Sequence, residues 1–90
     1  MVAPRFIVTN LSDKDFSLSV AWRDQSMGLG HVAPHEQLEF RHNGEADMTF
    51  IAKFPSGVSV SSKPIYFTSG TIVYAQVSNS NIEVSYKKGT

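Results

Sequence analysis

The feature that most constrains this chain is an alternation of apolar and polar residues with period two, broken at short intervals by turn-forming residues. In "FSLSVAW", Phe16, Leu18, Val20 and Trp22 fall on one side and Ser17, Ser19 and Ala21 on the other. "MTFIAKF" repeats the pattern with Met48, Phe50, Ala52 and Phe54, and "IEVSY" with Ile82, Val84 and Tyr86. Side chains of an extended strand point alternately to opposite faces, so each segment reads as a strand with one apolar face. No window keeps the i, i+3, i+4 spacing of an amphipathic helix over three turns; "PHEQLEFRH" comes nearest, and its β-favouring neighbours argue against it.

Turn residues cluster at Asn10 to Asp15, Asp24 to Gly28, Ala33-Pro34-His35, His42-Asn43-Gly44, Pro55-Ser56-Gly57, Ser69-Gly70 and Asn79-Ser80-Asn81. They leave strands near 4–10, 15–23, 28–33, 36–42, 46–54, 58–67, 71–78 and 81–87. Pro64 divides the sixth, because proline has no N–H for a ladder. About seven or eight short antiparallel strands with one apolar face each bury those faces best as a two-sheet sandwich of immunoglobulin-like size, with a small β-barrel as the alternative. Trp22 is a candidate for a central core position. Ninety residues make a single domain spanning 1–90, since two cores would each be too small.

Composition narrows the function classes. Eight basic and eight acidic side chains cancel and are scattered, which gives no stripe for a phosphate backbone; nucleic acid is not an expected partner. There is no cysteine, hence no disulfide, thiolate metal site or cysteine nucleophile. No apolar run approaches the ~20 residues of a membrane helix, and "MVAPRF" contains no signal-peptide core. Gly-x-Ser-x-Gly, His-Glu-x-x-His, phosphate-loop and Ser-x-x-Lys motifs are all missing. The expectation is a non-enzymatic module without a cofactor. Asn10-Leu11-Ser12 is a formal glycosylation sequon.

Two readings compete for "GLGHVAPHEQLEF" (28–40). His31 and His35, with His42 or Met27 and the nearby Glu36, offer nitrogen, sulfur and carboxylate donors suited to copper or zinc. The simpler reading makes Pro34 the centre of a turn, with both histidines on its solvent-facing shoulders and Leu38 and Phe40 resuming the alternation. The turn reading is preferred, and a small metal-binding protein is the alternative.

The last strands generate a candidate contact face. A three-residue hairpin loop at Thr68-Ser69-Gly70 sets Phe67 opposite Thr71 and gathers Ile65, Phe67, Val73, Ala75 and Val77 on one side. An even-length loop at Asn79-Ser80 sets Val77 opposite Ile82, so Val84 and Tyr86 join them. Tyr66, Ile72 and Tyr74 then meet on the outer side as an aromatic patch for a protein or glycan partner. A two-residue loop at Ser69-Gly70 would instead bury Tyr74 beside Phe67.

The order of pieces resembles small immunoglobulin-like β-sandwich domains of uncharacterised bacterial lipoproteins and secreted proteins. It is carried by "FIVTN", "FSLSVAW", "LGHVAPHEQLEF", "MTFIAKF", "PSG" and "SKPIYFTSGTIVYAQV", over roughly residues 6 to 86. In those domains "LG-x-V-x-P" precedes a short turn and a "P-[IV]-x-[VF]-x-x-G" hairpin closes the fold. His35 stands where they more often have glycine, and the lipid-attachment cysteine is absent. The resemblance implies a sandwich fold and a periplasmic or extracellular setting if a leader was removed, a cytoplasmic one otherwise; it carries no site residues. A recognition module is the first expectation, a structural spacer another.

Overall fold

The computed structural model describes residues 5–22, 25–41, 46–67 and 70–88. They carry nine strands: β1 (Arg5–Asn10), β2 (Phe16–Trp22), β3 (Gln25–Val32), β4 (Gln37–Arg41), β5 (Ala46–Lys53), β6 (Ser59–Ser61), β7 (Ile65–Phe67), β8 (Thr71–Val77) and β9 (Ile82–Lys88). One sheet has the order β4-β1-β8-β9; the other has the order β3-β2-β5-β6, with β7 also paired to β5. The expected sandwich is present, and no described residue is helical.

The inner face of each strand is the apolar set that the alternation marks. Phe6 and Val8 of β1 and Val73, Ala75 and Val77 of β8 are buried from one sheet; Phe16, Leu18 and Val20 of β2 and Met48, Phe50 and Ala52 of β5 are buried from the other. They form one cluster. Phe6 stacks on Phe40 at a centroid distance of 4.8 Å and meets Phe50 edge-on at 6.0 Å, so aromatic contacts tie the two sheets together. Trp22, a candidate for the centre, is half-buried at the end of β2 and packs against the core from its margin.

Two features depart from the sequence expectation. The sixth segment is two strands, and both pair with β5: Lys53 faces Ser59 before the break, and Met48 faces Ile65 after it. The register slips by one residue across Ser62–Pro64. Ser62 spans the gap: its N–H donates to Phe50 O, and its hydroxyl accepts from Phe50 N–H, both at 2.9 Å. Proline's missing donor is thereby confined to a bulge.

The second departure is the hairpin proposed between β7 and β8, which does not form. β7 pairs with β5, whereas β8 lies between β9 and β1 and runs parallel to β1, Arg5 facing Ile72 and Asn10 facing Val77. A strand has two ladder edges, and β8 has given both to other partners. The chain instead crosses between sheets near Gly70, whose φ is 80°; Thr68 and Ser69 lie outside the described residues. The β8–β9 hairpin does form in the expected register, with Val77 opposite Ile82 and Ala75 opposite Val84.

Asn10 joins these pieces. It is fully buried. Its side-chain amide donates to Lys14 O at 2.7 Å and Val32 O at 3.0 Å, and its Oδ1 accepts from Ser12 N–H at 2.8 Å. The Ser12 hydroxyl lies 2.6 Å from that oxygen and 2.8 Å from Lys14 O, so its single proton has two acceptors in reach. The Asn10 backbone donates to Glu36 O and accepts from His35 N–H, each at 2.9 Å, and Leu11 N–H donates to Val77 O. Substituting Asn10→Ala strips partners from a buried carbonyl and a buried N–H and should cost about 2–4 kcal/mol in urea denaturation; Asn10→Asp, which keeps the acceptor and loses both donors, should not recover it.

Candidate functional site: the outer face of the four-stranded sheet

On the outer side of the four-stranded sheet the registers place residues in three rows. Arg41, Arg5, Ile72 and Lys87 form the first; Glu39, Ile7, Tyr74 and Ser85 the second; Gln37, Thr9, Gln76 and Glu83 the third. Ile7, Ile72 and Tyr74 are half-buried neighbours on the two interior strands. Arg5 Nη2 donates to Glu39 Oε1 at 2.7 Å, while Arg5 Nε is covered and meets no acceptor among the described residues. That hydrogen bond is the main cause holding the Glu39 carboxyl below its usual range, and the same bond raises the Arg5 guanidinium. The face is therefore a short apolar strip with a charged rim.

Of the three patch residues read from sequence, Ile72 and Tyr74 lie together here. Tyr66 does not join them: it is on β7, opposite Asp47 in the other sheet, and 54% exposed. The missing hairpin is the reason. The sequence reading also overlooked Arg5, Ile7 and Glu39. Their proximity to β8 depends on a parallel pairing of strands more than sixty residues apart, which no turn motif announces. Tyr86, expected among the buried set, sits on the inward-facing side of β9 yet is 53% exposed, because β9 is an edge strand.

The histidines lie on the corner that carries the chain from β3 to β4. His31 faces outward beside Ser17, and its side chain is 74% exposed. Ser17 Oγ is 3.4 Å and Asp15 Oδ2 3.8 Å from the same ring nitrogen, Nδ1, bordering a shallow hollow of about 370 Å³ with Lys53 and Pro55. A nucleophile–base–carboxylate relay needs the hydroxyl and the carboxylate on opposite ring nitrogens, and this cluster lacks that arrangement. Met27 lies four residues from His31 along β3, faces Val20, and is 41% exposed. At ~3.3 Å per residue that separation is about 13 Å, too far for shared coordination. His42 lies outside the described residues. Among the described residues no group of three or more histidine, aspartate or glutamate side chains is poised for a metal ion.

His35 is held at φ 63° inside an Ala33–Glu36 turn closed by Glu36 N–H to Ala33 O at 3.1 Å. A positive φ at the third place is the requirement of a type II turn, which favours glycine there and commonly has proline second. The formal sequon at Asn10 is closed, since its amide nitrogen is buried and donates twice.

Two outcomes follow from this geometry. His35→Gly should raise stability by about 0.5–1 kcal/mol, measured by urea denaturation, because the left-handed conformation is strained for histidine and open to glycine. In a carboxyl-detected NMR titration Glu39 should titrate below ordinary glutamates, and Arg5→Gln should move it back up.

No family model matches the chain, and no curated protein does. Two solved structures share its fold. A protein from Eubacterium rectale, determined by NMR, is 16% identical with a TM-score of 0.65, over 97% of this chain and 90% of that one. The crystal structure of a putative cell adhesion protein from Bacteroides uniformis is 13% identical with a TM-score of 0.61; the match covers 94% of this chain but about half, 49%, of that chain. At these identities the likeness establishes the all-β sandwich fold.

Proposed function

We propose that this chain is a non-enzymatic recognition module of a bacterial envelope or secreted protein, and that it binds a protein partner through the outer face of the four-stranded sheet. The observation that carries the reading is the strip of Ile7, Ile72 and Tyr74 beside the Arg5–Glu39 pair. Apolar and aromatic side chains ringed by charge suit a protein surface: the strip supplies area to bury, and the rim supplies orientation. The Bacteroides uniformis neighbour, a putative cell adhesion protein, supports the same class of function.

Beads coated with the protein provide the test, applied to a panel of mucin and extracellular-matrix proteins. Adherence to a member of the panel should fall at least about tenfold with Ile72→Ser/Tyr74→Ser, the scale of losing contact residues worth about 1 kcal/mol or more. Thermal unfolding of the variant checks that the fold persists. Equal adherence by wild type and variant would reject this face, and adherence abolished by periodate treatment of the surface would assign a glycan instead.

A further inference from the structure

Among the described residues the sandwich has four strand margins, and three are blunted. β3 is bulged where Leu18 and Ser19 face Gly30 and Gly28, leaving Leu29 as the extra residue. β6 and β7 are separated at Pro64. β4 has only five residues. The fourth margin, β9, runs unbroken for seven residues, Ile82 to Lys88, with no proline, glycine or bulge. An edge of this kind is a template for another strand.

Its backbone polarity can be assigned. Ser78 N–H donates to Asn81 O at 2.9 Å across the two-residue turn, making these two a hydrogen-bonded pair. Antiparallel pairs alternate, so Glu83, Ser85 and Lys87 bond to β8, and the N–H and C=O groups of Ile82, Val84 and Tyr86 point outward. Beside them runs a groove of about 500 Å³, bounded by Lys63, Pro64 and Ile65 on one side and Asn81, Ile82 and Val84 on the other.

We propose that β9 pairs antiparallel with β9 of a second copy of this chain, joining two four-stranded sheets into one of eight strands. The sequence of β9 is self-complementary about Ser85. With Ser85 facing itself across a two-fold axis, Glu83 lies opposite Lys87 of the second copy and Lys87 opposite its Glu83. On the other face Val84 lies opposite Tyr86 of the second copy, extending the apolar lining of the groove. The bonding groups agree with this register, because Val84 and Tyr86 both offer outward backbone groups. Sliding by two residues either way, which preserves the bonding pattern, sets Glu83 or Lys87 against Ser85 and loses both charge pairs. Within one chain Glu83 and Lys87 are about 13 Å apart along the strand, too far to pair with each other. Both are exposed, and among the described residues neither has an ion-pair partner. Two-fold symmetry makes every such contact occur twice.

Sedimentation equilibrium of the 90-residue chain reads the association, in buffer of about 50 mM salt and at concentrations up to about 1 mM, where even weak pairing is populated. A monomer–dimer equilibrium is expected. Lys87→Glu and Glu83→Lys should each weaken it at least about fivefold by setting like charges opposite one another at two symmetric places. The double variant Glu83→Lys/Lys87→Glu should return to within about twofold of wild type, since the pairs are restored with reversed sign. Amide protection at Val84 and Tyr86 should rise with protein concentration in hydrogen exchange. A strictly monomeric wild type, single variants that dimerise as well as wild type, or a double variant no tighter than the singles would each overturn the proposal.

Discussion

The buried carboxamide of Asn10 is the interaction on which the arrangement of this sandwich depends. A buried amide has two donors and an acceptor to satisfy, and here each is matched by a group that another element would otherwise leave unpaired. Through them the end of β1, the 11–14 turn and the end of β3 are fixed to one point, while the backbone on either side ties in the Pro34 corner and the end of β8. Those segments belong to both sheets. Apolar burial draws the sheets together without direction; hydrogen bonds at the open end of the sandwich set how they align.

The same anchor accounts for the strain at His35. Its N–H is held by Asn10 O and the next residue's C=O accepts from Asn10 N–H, so the turn is fixed from outside by β1 and the backbone adopts a positive φ although histidine disfavours it. The corner needs a residue tolerant of positive φ, and its histidine explains neither a metal centre nor a catalytic base.

Much of the fold was legible because alternation reports which face of a strand is buried whatever the strand pairs with. Phe16, Leu18, Val20, Met48, Phe50 and Ala52 are all inward, as the pattern requires. Local turn chemistry was legible too: Asn79-Ser80 specified the β8–β9 register, and Pro55-Ser56-Gly57 forms a turn with Gly57 at φ 94°. Partner choice was not legible. A glycine between two strands serves a hairpin and a sheet-to-sheet crossing equally well, and only the competition for ladder edges decides. β1 takes the edge of β8 that β7 would have needed. That one substitution of partners removed Tyr66 from the candidate face and brought Arg5, Ile7 and Glu39 to it. The error therefore fell on the site more heavily than on the core, whose members stay buried under either pairing.

The position of the candidate face then follows from topology. β1 and β8 are the interior strands of their sheet, each paired on both sides, so Ile7, Ile72 and Tyr74 stand on doubly supported backbone. Side chains on such strands are held in place before any partner arrives, which lowers the ordering cost of association compared with a loop. The flanking strands have a different character. β4 contributes Glu39, whose bond to Arg5 fixes one rim of the strip, and the outer backbone groups of β9 face no strand among the described residues. The two proposals thus draw on different parts of one sheet: side-chain burial across its rigid apolar centre, and backbone pairing along its open margin.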